Sequence, residues 1–513
     1  MAMRRYLGVL VFCTGLVTLG AELAAARLLA PFFGTSLIVW TSLIGLILAA
    51  LSLGYWLGGK WVDRNPSLFL ALRLVLAAAV LVGLAPDLAR PVLTLALQGV
   101  AAVRFGLLVG SFLGVLALLG IPMVLLGTIS PFAIRLATRQ VEESGQVAGR
   151  LYALSTLGSF LGAFLPVLVL IPACGTRWTF IFFALLLLAV VAAGFLLLRR
   201  FRWAAGAALL GVALAALGWW RSGAPVKPGA HVLFEGESAY QYVRVVENNA
   251  GWRLLQLNEG VVTHSKYHPR QPLTFGEWDY FAVAPLFSPT AAPVVAARRW
   301  ALIGAGAGTT ARLVHRLYGD VRIDGVEPDP LVAEVGERFF GERPPGYHVT
   351  LLDGRAWLLL NHETYDVIGI DAYRQPYIPF ELTTVECFQQ VRSHLSENGV
   401  VAINVVHIGD DDRLAAALAA TLRQVFPSVY VLHLPARCRT SILVATCGRG
   451  TVDDFQRNRT GTDGLLRLLA GQAEGLLVTN VRPGLVLTDD RAPVERLMDL
   501  MLFRYVSDGS GGT

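Results

Sequence analysis

The sequence predicts a bundle of about seven transmembrane α-helices fused to a soluble α/β domain, in which a small β-sheet precedes a doubly wound one. Three observations carry this expectation. The 513-residue chain has a mean hydropathy of +0.55 and only 16% charged residues, too apolar for an ordinary soluble protein of this length. Its charge is divided: residues 1–221 hold 16 Lys/Arg and 5 Asp/Glu, net +11, whereas residues 222–513 hold 27 and 32, net −5. From residue 299 onward, short apolar runs alternate with helical stretches, the pattern of a mainly parallel sheet covered on both faces.

A helix needs about 20 apolar residues to cross the hydrocarbon core. Runs that qualify lie at 6–30, 37–59, 66–85, 105–128, 150–171, 178–198 and 203–220, and the interrupted stretch 88–103 reads as an interfacial or re-entrant helix. The first run is not a cleaved leader, because it continues into RLLAPFFG without a small-residue cleavage site. Basic clusters at Arg4/Arg5, Lys60/Arg64, Arg135/Arg139/Arg150 and Arg199/Arg200/Arg202 mark cytoplasmic ends and agree with seven crossings from a cytoplasmic N-terminus. That count delivers the soluble domain to the outer face. Glu22 and Arg27 lie inside the first run, where charge is expensive; a bundle-internal partner for Glu22 and snorkelling of Arg27 account for them, and a buried polar site or substrate path is the alternative. The pI of about 9.1 arises from these flanking arginines, not from a nucleic-acid-binding face. Cys13, Cys174, Cys387, Cys438 and Cys447 have no CxxC spacing, and no His/Cys pattern suggests a metal.

The expected division is a transmembrane domain at 1–221, a linker at 222–230, a small β-strand subdomain at 231–290, a Rossmann-like domain at 291–505 and a flexible tail at 506–513. Within 231–262 short strands are legible, with a hairpin signal, NNAG, at 248–251. Apolar strands follow at 299–303, 321–326, 348–352, 365–370, 399–406, 428–433 and 441–446. In such a sheet ligands bind at the carboxyl ends of the strands.

Those ends carry chemistry. The first closes on ALIGAGAGTT (301–310), where Gly304, Gly306 and Gly308 allow a sharp turn and close approach of a ligand. The second ends in GVEPD with Glu327, suited to accept hydrogen bonds from ribose hydroxyls. The third and fourth end in LLDGR with Asp353 and IGIDAY with Asp371. A pyrophosphate prefers helix amides to carboxylates, and the third glycine is misplaced for a dinucleotide fingerprint. Stacked acids suit a cationic sulfonium nucleoside: S-adenosylmethionine or its decarboxylated form.

With GAEL (20–23), RLLAPFFGTS (27–36), GTISPFA (127–133) and GRLYALSTLG (149–158) in the apolar half, and SAYQYVRV (238–245), LNEGVVTHS (257–265), EWDYF (277–281) and LTDDRAPVE (487–495) in the soluble half, the chain resembles the spermidine synthase (polyamine aminopropyltransferase) family, in its membrane-fused branch. The resemblance implies a methyltransferase-type sheet, decarboxylated S-adenosylmethionine as co-substrate without a metal, an amine or polyamine acceptor, and a homodimer. It implies that Gln241, Glu327 and Asp353 contact the nucleoside and that Asp371, aided by Tyr373, orients the acceptor amine and takes its proton. Asp279 falls near a family glutamate, and His264, with Tyr267 and His268, lies in the loop that would cover the site. The chain departs from the family at two acids, Ala307 within the glycine loop and Arg374 three residues beyond Asp371, so the nucleoside pocket reads as retained and the amine pocket as rebuilt. A diverged transferase using ordinary S-adenosylmethionine is the alternative, and a non-catalytic sensor or transporter is a further one. The cytosolic origin of the nucleoside favours a cytoplasmic soluble domain on a multi-pass membrane protein, against the count of crossings. The acidic run at 410–412 reads as a solvated face rather than a polyamine attractor.

Overall fold

In the computed structural model, residues 2–33, 37–100, 106–221, 231–258, 262–290, 296–373, 377–409, 411–435, 438–478 and 481–507 are described. The chain divides into two units, residues 1–229 with 235–242 and residues 230–234 with 243–513.

The first unit is helical. Its elements are α1 (Ala2–Phe33), α2 (Leu37–Arg64), α3 (Leu68–Val100), α4 (Gly106–Val115), α5 (Ile121–Gly127), α6 (Ile129–Ala137), α7 (Ser144–Leu165), α8 (Ile171–Leu197) and α9 (Phe201–Arg221). Among the described residues, six helical stretches are long and apolar enough to cross a membrane, by length and composition. Wide π turns at Leu116–Gly120 and Pro166–Leu170 join α4 to α5 and α7 to α8. Each holds the residue four before a proline, Pro122 or Pro172, where an ordinary helical turn would drive the ring into a carbonyl. The fifth stretch, Val141–Leu197, has 57 residues; unbroken it would extend about 85 Å, against about 30 Å of hydrocarbon. The backbone leaves the helix at Gly175 (φ 77°, ψ 170°). The helix restarts at Thr176, whose N–H and hydroxyl both donate to the Glu237 carboxylate, at 2.8 and 2.5 Å, an acid placed where a helix start favours one.

One expectation needs correcting. The stretch 88–103 is no separate interfacial helix: residues up to Val100 continue α3, which carries Pro86 and Pro91 within its 33 residues. Small residues bring α1 and α7 together. A Cβ on Gly158 would collide with the Phe12 carbonyl and one on Gly162 with that of Leu16, and the Ser159 hydroxyl donates to the Gly15 carbonyl at 3.1 Å. Arg27 donates to the Ala239 carbonyl. Glu22 is buried and has no hydrogen-bond or ion-pair partner among the described residues, so the partner expected for it within the bundle is not found there.

The second unit carries two sheets. Strands β1 (His231–Glu237), β2 (Tyr242–Glu247), β3 (Arg253–Leu257) and β4 (Thr263–Tyr267) form the small one in that order. After α10 (Glu277–Phe281) come β5 (Arg299–Ile303), α11 (Thr309–Tyr318), β6 (Arg322–Val326), α12 (Pro330–Phe339), β7 (Tyr347–Thr350), α13 (Gly354–Leu360), β8 (Tyr365–Ile370), α14 (Val385–Ser393), β9 (Leu395–Val406), α15 (Arg413–Leu422), β10 (Ser428–His433) and β11 (Thr440–Thr446). The large sheet runs β10-β11-β9-β8-β5-β6-β7. Its five strands from β9 to β7 are parallel, and β11 is antiparallel to both neighbours. Strand β5 is buried through both faces: Trp300 and Leu302 enter one apolar cluster, Ala301 and Ile303 the opposite one. The order reverses between β5 and β8, which makes a crevice at their carboxyl ends.

Candidate active site

The crevice opens where β5 and β8 end. Gly304, Gly306 and Gly308 all adopt left-handed backbone, φ 84°, 52° and 81°, which explains glycine at each. The turn folds back on β6: Gly304 and Ala305 N–H donate to the Val326 carbonyl at 2.9 and 3.0 Å. Strand β4 clamps it from the other side. Ala307 N–H donates to Ser265 Oγ at 2.9 Å, and Lys266 N–H donates to Thr309 Oγ1 at 3.0 Å. His264, between these contacts and the cleft, is thereby brought to the cleft wall. The cleft is lined by His264, Trp278, Phe281, Gly304, Thr310 and Asp371 among others.

Asp371 begins just after β8, its N–H donating to the Ile303 carbonyl at 2.8 Å. Its carboxylate accepts from Asn404 Nδ2 at 2.9 Å and from the Trp278 indole. Burial pushes its pKa up to about 6, and those two donors oppose the rise. Tyr373 does not present a free hydroxyl. Its O–H donates to the Asn404 carbonyl and accepts from Val406 N–H, both at 3.0 Å, so it ties the segment after β8 to β9.

Glu327, 7% exposed, ends β6. Its two oxygens accept from Gly306 N–H and Asp329 N–H, each at 3.1 Å. Burial nevertheless raises its pKa to about 7. Asp353, expected to contact the nucleoside, caps α13, accepting from Arg355 N–H at 2.9 Å and Ala356 N–H at 3.3 Å. Gln241 lies in 235–242, with the helical unit, where its carbonyl accepts from Ser238 N–H at 2.9 Å. Arg374 lies outside the described residues.

Asp279 is engaged within its own turn. Buried at 1% exposure, it accepts from Thr274 N–H and Oγ1 at 3.0 and 2.8 Å and from Phe275 N–H at 2.8 Å. It thereby holds a turn in which Phe275 has φ 57°. The acid of this short helix that does address the centre is Glu277, which sequence reasoning passed over. Its pKa rises to about 8, first by burial and then by the negative charge of Asp371. Also missed were Trp278 and Asn404, the two donors to Asp371. His268 serves a turn, its Nδ1 accepting from Arg270 and Gln271 N–H at 3.0 and 3.1 Å. Of the acidic run, Asp411 pairs with Arg413 at 2.7 Å and Asp412 lies 3.7 Å from Arg482, while Asp410 lies outside the described residues. Among the described residues no cluster could hold a metal.

No family model matches the chain. A probable polyamine aminopropyl transferase of Bifidobacterium longum is 29% identical over 299 residues, covering 55% of this chain and 65% of that protein. A spermidine synthase of Coffea arabica is 30% identical over 230 residues, 42% of this chain and 69% of the relative. The chain belongs to the spermidine synthase (polyamine aminopropyltransferase) family. It spans about two thirds of the length of these family members, 65% and 69%. A solved spermidine synthase in complex with the transition state analogue AdoDATO aligns over 47% of this chain and 84% of its own, at 21% identity and TM-score 0.40.

Proposed function

We propose that the soluble unit transfers an aminopropyl group from decarboxylated S-adenosylmethionine to an amine. The observation that carries the reading is the placement of Glu327 and Asp371 just past the strands that flank β5, on either side of the glycine turn, with no arginine among the described residues that line the cleft. Glu327 would accept the ribose hydroxyls, and the left-handed turn lets the nucleoside lie against backbone. The acceptor amine, protonated at neutral pH with a pKa near that of lysine, about 10.4, must first release one proton to water before it attacks. Asp371, ionised above about pH 6, would orient the amine and take a proton as the new bond forms. The nitrogen lone pair bonds to the carbon beside the sulfonium, and the carbon–sulfur bond breaks with its electrons going to sulfur. The products are a neutral thioether nucleoside and a secondary amine. Neutral Glu277 would keep the centre at one negative charge, while giving the amine a second carboxyl.

One observation favours a second reading, transfer from ordinary S-adenosylmethionine. Ala307 stands where the family has an acid, and its side chain packs into an apolar cluster with Val243, Leu255, Val332 and Phe340. Calorimetry on the full chain in detergent separates the readings. Decarboxylated nucleoside should bind at least tenfold tighter than the ordinary one; the reverse order supports the second reading, and absence of heat with both ends both.

The helical unit supports a multi-pass membrane protein in which the break at Gly175 divides the longest stretch into two crossings, seven in all. The aminopropyl reading requires the soluble unit to face the cytosol, where the nucleoside is made. Protease added to intact cells should leave it whole, and its digestion would place it outside, as the basic clusters do, beyond reach of the co-substrate.

A further inference from the structure

Asn404 is only 3% exposed. Its Nδ2 donates to Asp371 Oδ1 at 2.9 Å, while its Oδ1 is buried and has no hydrogen-bond partner among the described residues. The amide is not free to reverse while Asp371 is ionised, since that would set oxygen against oxygen. Nor can the residue withdraw. Its carbonyl is held by the Tyr373 hydroxyl, which also takes Val406 N–H, and Asn404 is registered against Ile442 within the sheet. A buried acceptor left without a donor is costly and calls for a reason. Here it sits beside the one carboxylate of the reaction centre.

We propose that Asn404 Oδ1 accepts a hydrogen bond from the attacking nitrogen of the acceptor, so that Asn404 and Asp371 together select a primary amine. This rests on the aminopropyltransferase reading. A neutral primary amine has one lone pair and two hydrogens. With the lone pair aimed at the carbon beside sulfur, one hydrogen meets Asp371 and the other meets Asn404. As the nitrogen–carbon bond forms and the carbon–sulfur bond breaks, the first hydrogen passes to Asp371 as a proton. The product, a secondary amine, keeps the second on Asn404. An acceptor that is already a secondary amine has one hydrogen and leaves one of the two oxygens unsatisfied. Discrimination of this kind, against a ligand that strands a buried polar group, is larger than shape alone provides. Asn404 Nδ2 meanwhile holds the Asp371 carboxylate in place and keeps its pKa down, so the residue orients both partners.

The test uses the full chain in detergent with decarboxylated S-adenosylmethionine, 1,4-diaminobutane and its N,N′-dimethyl derivative, which is secondary at both ends. The wild-type protein should prefer the primary diamine in kcat/KM by about tenfold or more. Asn404→Leu, similar in volume and without an acceptor, should lose most of that preference, shift the acidic limb of the pH profile upward for whichever amine turns over, and bind nucleoside within about threefold of wild type. Unchanged preference in Asn404→Leu overturns the proposal. So does equal turnover of the two amines, or turnover of neither, by a wild-type protein that binds the nucleoside, and this arm needs no variant to fold. A wild-type protein that gives no heat with the nucleoside instead removes the aminopropyl reading, and the role of Asn404 with it.

Discussion

The main chain of Asp371 lies so close to Gly304 that a Cβ there would collide with the Asp371 carbonyl. The glycine turn and the segment that carries the Asp371 carboxylate are therefore one packed unit. Gly304→Ala should lose about 1–2 kcal/mol for its left-handed backbone alone and displace Asp371 as well. Thermal unfolding of the full chain should show the loss, with turnover falling at least tenfold.

Asp371→Asn keeps the shape and removes the base. Turnover should fall by a factor on the order of 10² to 10⁴ while calorimetry finds nucleoside affinity within a few-fold of wild type. In the wild-type protein kcat/KM should rise with pH through about 6, as the carboxyl ionises. A profile flat across that region would take Asp371 out of the mechanism.

Glu327 makes a stability prediction with a definite sign. Its pKa is raised from 4.5 to about 7 by burial, so the folded state binds the proton more tightly than the unfolded one. Its contribution is full below about pH 4.5 and is lost as pH climbs to about 7, on the order of 3 kcal/mol in all. Glu327→Gln should flatten that part of the pH dependence of melting. It should also weaken nucleoside binding at least tenfold.

Asp279→Ala tests the clamp around Phe275. Three hydrogen bonds to a buried carboxyl disappear, for a loss of about 2–4 kcal/mol. The amine KM of the folded fraction should stay within about threefold. A large rise in KM with unchanged melting would return Asp279 to the substrate site.

In the helical unit, Gly158→Leu should separate α1 from α7, because even a Cβ there strikes the Phe12 carbonyl. Thermal aggregation in mild detergent should begin several degrees lower. Leucine at Gly149, which has nothing within 4 Å of an added Cβ, serves as the control and should be neutral.

Much of the sheet was legible because its strands are buried on both faces and read as unbroken apolar runs: β5, β8 and β10 occupy the expected residues. Glu327 and Asp371 were singled out because they follow strand ends, where such a sheet places ligands, and both lie beside the glycine turn. The rule was applied to four strands and stopped short of β9, whose residue Asn404 is the immediate partner of Asp371. Asp279 was legible in the sequence and Glu277 was not singled out, for a geometric reason. They are two residues apart on a five-residue helix and so face nearly opposite ways, and spacing cannot say which side meets the cleft. The stretch 88–103 reads as interrupted, yet α3 continues through Pro86 and Pro91 to Val100, since proline is tolerated in a helix whose freed carbonyls find other partners.

The half-titrated state of Glu327 near neutrality has a thermodynamic corollary. A nucleoside that prefers the ionised carboxylate must expel a proton from part of the population as it binds, and that proton is taken up by the buffer. Apparent binding enthalpies measured at pH 7 should then differ between phosphate and Tris by the heat of buffer protonation. In a cell, acidification would compete directly with co-substrate for the same oxygen atoms.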